Sequence, residues 1–109
     1  MKKQLNRLLL AGAAALASLA SSQVVALDGA SLYKTKTCIA CHGPEGRSPI
    51  MPNYPKLAGQ NKAYLLQQMK DIKTGARSNG NSAAMKGVMH LVSDEEMEAL
   101  AEYLSKLKP

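Results

Sequence analysis

Cys38-Ile39-Ala40-Cys41-His42 gathers both cysteines and one of the two histidines of a 109-residue chain into five consecutive positions. Two thiols three residues apart at the end of a helix can add to the two vinyl groups of a haem, and the adjacent imidazole then lies under the iron as a proximal ligand. Three other chemistries use the same residues. A structural zinc site needs four ligands, and the chain has no second cysteine pair and only His90 to add. A thioredoxin-like dithiol belongs in a βαβ context, which the sequence lacks. A disulfide between Cys38 and Cys41 would close a loop too short to constrain the unfolded chain much. Covalent attachment of one haem remains, and the rest of the chain is read around it.

Outward from the motif, a formal charge of +6, from 14 Lys+Arg against 8 Asp+Glu, invites a nucleic-acid or membrane-surface reading. Three of those charges, Lys2, Lys3 and Arg7, precede an apolar Leu/Ala run from Leu8 to Ala20 and a small-residue end at Val24-Val25-Ala26. This is the layout of a secretory signal peptide over residues 1–26. The run holds about 13 apolar or small residues against the roughly 20 that span a bilayer, so no retained membrane anchor is expected. Cleavage is expected after Ala26, with Ala20 as the alternative, leaving residues 27–109 as a single domain in the periplasm. In that domain the excess charge falls by half and is segregated: residues 27–92 carry nine basic and three acidic side chains, residues 93–109 two and five. No Lys/Arg cluster carries interleaved aromatics that could stack on bases, and nucleic-acid binding is set aside.

Residues from Asp28 to about Cys41 read as a short helical stretch, with Asp28 as N-cap and Gly29, Leu32, Tyr33 and Lys36 at helical spacing. Pro44, Pro49, Pro52 and Pro55 make Gly43 to Gly59 an extended wrapping loop. A second helix is expected from about Asn61 to Thr74, with Leu65, Met69 and Ile72 on one face and Gly75 at its stop. Gly75 to Ser82 reads as a turn or loop. In the last helix Ser93 and Glu96 make a capping box, and Met97, Leu100, Ala101, Leu104 and Leu107 form one apolar stripe. The domain is therefore expected to be all-α, with three to four short helices. With no Trp or Phe and 4% aromatic residues, so small a domain needs a staple or a large bound cofactor to complete its interior.

An iron held by His42 has a sixth position, for which the sequence offers Met51, Met69, Met85, Met89, Met97 and His90. Met69 and Met97 fall on apolar helix faces and read as core. Met51 lies only nine residues after His42, inside the proline loop, and would have to turn around the macrocycle edge at once. Met85 and Met89 sit four apart, so that one can face the iron while the other packs. His90 reads as a partly exposed loop residue.

The chain resembles the class I c-type cytochromes, and within them the single-haem relatives of the cytochrome c4 and c553 group. The resemblance covers residues 28–107 and rests on Gly29-x-x-x-Tyr33, Cys38-x-x-Cys41-His42-Gly43, Tyr54-Pro55-Lys56-Leu57-Ala58-Gly59-Gln60, Tyr64-Leu65-x-x-Gln68, Thr74-Gly75-x-Arg77, Met85-x-Gly87 and Leu100-x-x-Tyr103-Leu104. It implies a class I cytochrome c fold, with thioethers at Cys38 and Cys41 and with His42 and Met85 as axial ligands. It also implies a hydrogen bond from the His42 imidazole to the carbonyl of Pro55, and a crossing of the first and last helices where Gly29 and Tyr33 meet Leu100 and Tyr103. The best-known members of the subgroup carry two such domains and two haems; one Cys-x-x-Cys-His motif leads to the expectation of one here.

The function implied is that of a one-electron carrier, not an enzyme, passing electrons between redox protein donors and acceptors with acidic or membrane-bound docking sites. Lys34, Lys36, Lys56, Lys62, Lys70, Lys73 and Lys86 are candidates to ring the haem edge and steer such partners to what is expected to be a monomer. The alternative is an electron-relaying cytochrome subunit of a larger periplasmic dehydrogenase or oxidase. Cys38→Ser combined with Cys41→Ser is expected to abolish Soret absorption after expression with the haem-attachment machinery and to leave the chain largely unfolded by far-ultraviolet circular dichroism. A folded apo-protein would refute that account.

Overall fold

The computed structural model describes residues 27–109, so the expected export segment, residues 1–26, lies outside the described residues. Asp28 opens the first helix, α1 (Gly29–Thr35). Its carboxylate accepts from the Ala30 N–H at 3.1 Å and the Ser31 hydroxyl at 2.7 Å, satisfying a donor that a helix start leaves without a partner. The helix then stops earlier than its periodicity suggests. Thr37 takes a left-handed conformation with φ of 66°, and the chain restarts as α2 (Cys38–His42). The single stretch expected from Asp28 to Cys41 is thus two helices set at an angle by one residue. A β-branched residue seldom adopts positive φ, and no Gly or Pro marks the break.

The proline-bearing loop follows as expected, with one tight 3-10 turn at Pro44–Gly46. Helix α3 (Lys62–Thr74) begins where Asn61 Oδ1 accepts from the Tyr64 N–H at 3.1 Å, and Gly75 caps its other end. Helix α4 (Ser82–Met89) occupies a stretch for which the sequence predicts no helix. Its signals are weak: Asn81 makes no side-chain cap, and Gly87 lies in its interior. Helix α5 (Asp94–Ser105) carries the expected capping box, with Ser93 Oγ accepting from the Glu96 N–H at 3.2 Å and Glu96 Oε1 accepting from the Ser93 N–H at 2.9 Å. Asp94, Glu95 and Glu96 place negative charge at its dipole-positive end.

Among the described residues there are five α-helices and no strand, so the fold is all-α. No described helix is long and apolar enough to cross a membrane. Helix α5 packs against both α1 and α3, and α4 packs against α3. The core between them consists of Tyr33, Leu65, Ile72, Met89, Val92, Met97, Leu100, Ala101 and Leu104. Where α1 crosses α5, a Cβ on Gly29 would stand 2.3 Å from the Ala99 carbonyl oxygen and 2.5 Å from Tyr103 Cβ. The missing side chain is what allows the two backbones to meet, and it brings the Tyr33 and Tyr103 rings to a centroid separation of 5.9 Å. Gly29→Ala is therefore expected to force the helices apart and to cost about 1–3 kcal/mol, seen as a lower midpoint in thermal or denaturant unfolding. Unchanged stability would show that the crossing yields freely.

Candidate cofactor site

The break at Thr37 aims α2 so that its five residues present two sulfurs and an imidazole. Cys38 is half-buried, Cys41 exposed and His42 only 4% exposed. Burial pushes the Cys38 thiol above its ordinary pKa, the reverse of the depressed value that activates a redox dithiol. Among the described residues no group of three or more His, Cys, Asp or Glu side chains is placed to hold a bare metal ion.

The His42 Nδ1 lies 2.9 Å from the carbonyl oxygen of Pro55. A carbonyl only accepts, so Nδ1 carries a proton; in the neutral ring the lone pair is then on Nε2, the tautomer that can coordinate a metal through that nitrogen. The structure thus brings together the two residues whose pairing the resemblance implies. The loop that supplies Pro55 is tied back to α2 and folded on itself by main-chain bonds. Gly43, with φ of 79°, ends the helix, and a Cβ there would stand 2.0 Å from the Ser48 carbonyl oxygen. Ile50 N–H donates to the Cys41 carbonyl at 3.0 Å, and Leu57 N–H to the Gly46 carbonyl at 2.8 Å. From beneath, the buried Tyr33 hydroxyl donates to the Gly43 carbonyl at 2.7 Å. Burial pushes the Tyr33 pKa up to about 12, so it remains a neutral donor throughout the physiological range.

Cys38, Cys41, His42 and Pro55 form part of the wall of a cavity of about 470 Å³, within the roughly 300–1,000 Å³ typical of small-molecule and cofactor sites. Helix α2 contributes Cys38, Cys41 and His42, and the proline loop contributes Asn53, Tyr54, Pro55, Lys56 and Leu57. From α3 come Leu65, Gln68, Met69 and Ile72, from α4 Met85, Val88 and Met89, and from α5 Leu100 and Leu104. Of the six sulfur or imidazole candidates for a sixth ligand, Met51 is 46% exposed and borders no part of the cavity. His90 is exposed and Met97 fully buried in the core, and neither borders it. Met69, read as core from its periodicity, does line the cavity. Met89 lines it too but is sunk in the core at 2% exposure, whereas Met85, one turn earlier on the same helix, is half-buried.

Arg77 also lines the cavity. It is half-buried, its Nη1 donates to Gln68 Oε1 at 2.9 Å, and it forms no salt bridge with any described carboxylate. Its only sequence signal is its place in Thr74-Gly75-x-Arg77. The candidate docking lysines divide differently from their even spread in the chain. Lys62 pairs with Glu98 and Glu102, Lys36 with Glu96 and the Leu91 carbonyl, and Lys73 donates to the Val92 carbonyl. Lys56 alone of the seven lines the cavity.

Comparison with known proteins finds that the family model for cytochrome c matches residues 26–108. Cytochrome c4 of Azotobacter vinelandii is 43% identical over 82 residues, covering 70% of this chain and 39% of that protein. Cytochrome c-553 of Nitratidesulfovibrio vulgaris is 37% identical over 86 residues, covering 79% of this chain and 82% of that protein. The crystal structure of reduced recombinant cytochrome c4 from Pseudomonas stutzeri superposes with a TM-score of 0.65 at 29% identity, over 82% of this chain and 55% of the other. The chain thus spans about two-fifths of the length of the cytochrome c4 relatives it matches.

Proposed function

We propose that this chain, which belongs to the cytochrome c family, is a one-electron carrier of the periplasm whose single haem is held by thioethers at Cys38 and Cys41 and by axial His42 and Met85. The observation that carries this reading is the His42 ring, buried in the cavity wall with Nδ1 committed to Pro55, beside Cys38, Cys41 and a half-buried Met85. Family members bind haem c covalently, and the residues present fit that group. Two thiols and an oriented imidazole come from one short helix, apolar side chains from α3, α4 and α5 make up much of the wall, and Arg77 supplies a half-buried cation. A guanidinium in that setting calls for an anion, which a haem carboxylate provides.

Haem bound there supplies a ferrous–ferric couple, and a thioether ligand raises its potential relative to bis-histidine ligation. The chain's own residues do the rest. Pro55 fixes the orientation and basicity of His42 through Nδ1, leaving Nε2 for the metal. Leu65, Ile72, Leu100 and Leu104 give part of the cavity wall a buried apolar surface that disfavours water. Lys56 gives the rim a positive charge suited to acidic partners. No substrate chemistry is assigned to these residues, and the protein is read as a carrier and not an enzyme. Residues 1–26 are read as the signal that exports it and residues 27–109 as its haem domain.

Ultraviolet–visible spectra of the oxidised and reduced holoprotein test this reading. The ferric wild type is expected to show the weak sulfur-to-iron band toward the red, Met85→Ala to lose it and Met89→Ala to keep it. The reduced wild type is expected not to take up carbon monoxide rapidly at neutral pH. Retention of the band in Met85→Ala with its loss in Met89→Ala would move ligation one helical turn, and rapid carbon monoxide binding would replace the carrier with an open-site haem protein.

A further inference from the structure

Two lysines converge on the turn between α4 and α5. Lys36, which caps α1, places Nζ 2.8 Å from the Leu91 carbonyl oxygen and 3.4 Å from Glu96 Oε2. Lys73, in the last turn of α3, donates to the next carbonyl along, that of Val92. Glu96 is itself fixed, since its other carboxylate oxygen accepts from the Ser93 N–H in the capping box. Lysines ordinarily lie along a protein surface with the ammonium in water. Here both are half-buried and reach main-chain carbonyls far away in sequence. Such bonds from a charged donor are stronger than neutral ones.

What they hold is the end of α4. That helix has eight residues, contains Gly87 and packs against α3. A helix so short is unstable by itself, so its position depends on what grips it. Its last turn runs on into the gripped segment, with Leu91 N–H donating to the Val88 carbonyl at 3.0 Å and Val92 N–H to the Met89 carbonyl at 3.1 Å. Met85 lies one turn before Met89 on the same helix.

We propose that Lys36 and Lys73 are positioning residues for the methionine at the iron: by clasping the Leu91 and Val92 carbonyls from α1 and α3, they hold α4 where Met85 faces the cavity. The proposal rests on the ligation reading of the preceding subsection. Neither lysine touches the cavity, and both act through the helix.

The test uses full-length ferric holoprotein titrated with imidazole, with loss of the sulfur-to-iron band reporting displacement of Met85. Lys36→Met and Lys73→Met keep the aliphatic stem and remove the donor. Each is expected to tighten apparent imidazole binding about tenfold, because loss of a charged hydrogen bond raises the population in which the sixth position is accessible. Lys73→Arg, which keeps a cationic donor, is expected to restore most of the difference, and Lys108→Met, near the exposed C-terminus, to behave as wild type. Lower thermal midpoints with unchanged imidazole affinity would reduce the two lysines to general stabilisers and overturn the clasp, as would wild-type behaviour in both variants. A wild-type ferric protein without the band would instead overturn the ligation reading, before any variant is compared.

Discussion

The hydrogen bond between His42 Nδ1 and the Pro55 carbonyl joins a five-residue helix to the far part of the loop that follows it, a loop too rich in proline to be regular. Its formation requires that α2 leave α1 at an angle, which Thr37 provides with its left-handed backbone. It also requires a tight return after His42, which Gly43 allows because any side chain there would strike the Ser48 carbonyl. The prolines then limit the loop's alternatives, so less conformational freedom is lost in presenting one carbonyl to one ring nitrogen. A single neutral hydrogen bond contributes about 1 kcal/mol to stability. Its greater consequence is chemical, because it decides which imidazole nitrogen carries the proton.

Around that contact the fold is a frame of three helices with a fourth leaning on it. The α1–α5 crossing is set by an absent side chain at Gly29, and α3 lies along the other side of α5 with Leu65 and Ile72 in the shared core. Tyr33 connects this frame to the site. Its ring packs near Tyr103 at the crossing, while its hydroxyl holds the Gly43 carbonyl at the end of the histidine-bearing helix. One buried side chain therefore couples helix packing to the placement of His42.

Much of this was legible in the sequence because it is written in local chemistry. Asp28, Asn61 and Ser93 cap helices where short polar acceptors precede apolar periodicity, and the Ser93–Glu96 box is reciprocal as its spacing implies. The CxxCH arrangement carries the cofactor chemistry without any tertiary information. What escaped was decided by long-range contacts. Thr37 breaks a helix that nothing in its own residue type would break. Helix α4 has a poor cap and an internal glycine; it packs against α3, and the turn that follows it is bonded by lysines 55 and 19 residues away from the carbonyls they reach. Met69 has the spacing of a core residue and borders the cavity as well, a distinction that periodicity cannot make. Arg77 is polar in a polar loop, and only its half-buried setting beside Gln68 gives it meaning.

The distribution of charge follows from the same distinction between local pattern and tertiary use. Along the chain, the basic residues before Val92 and the acidic ones after it suggest a protein with two oppositely charged faces. In three dimensions several of those charges meet. Lys62 on α3 reaches Glu98 and Glu102 on α5, and Lys36 reaches Glu96. The exposed Lys62 pairs contribute little individually. The effect of all these pairs is to engage much of the apparent polarity in joining α5 to α1 and α3, leaving Lys56 as the lysine at the cavity. Any electrostatic steering toward the redox centre therefore depends on a local charge beside the site and not on the net excess of the chain, since at physiological salt fields between exposed charges fade within about 8 Å.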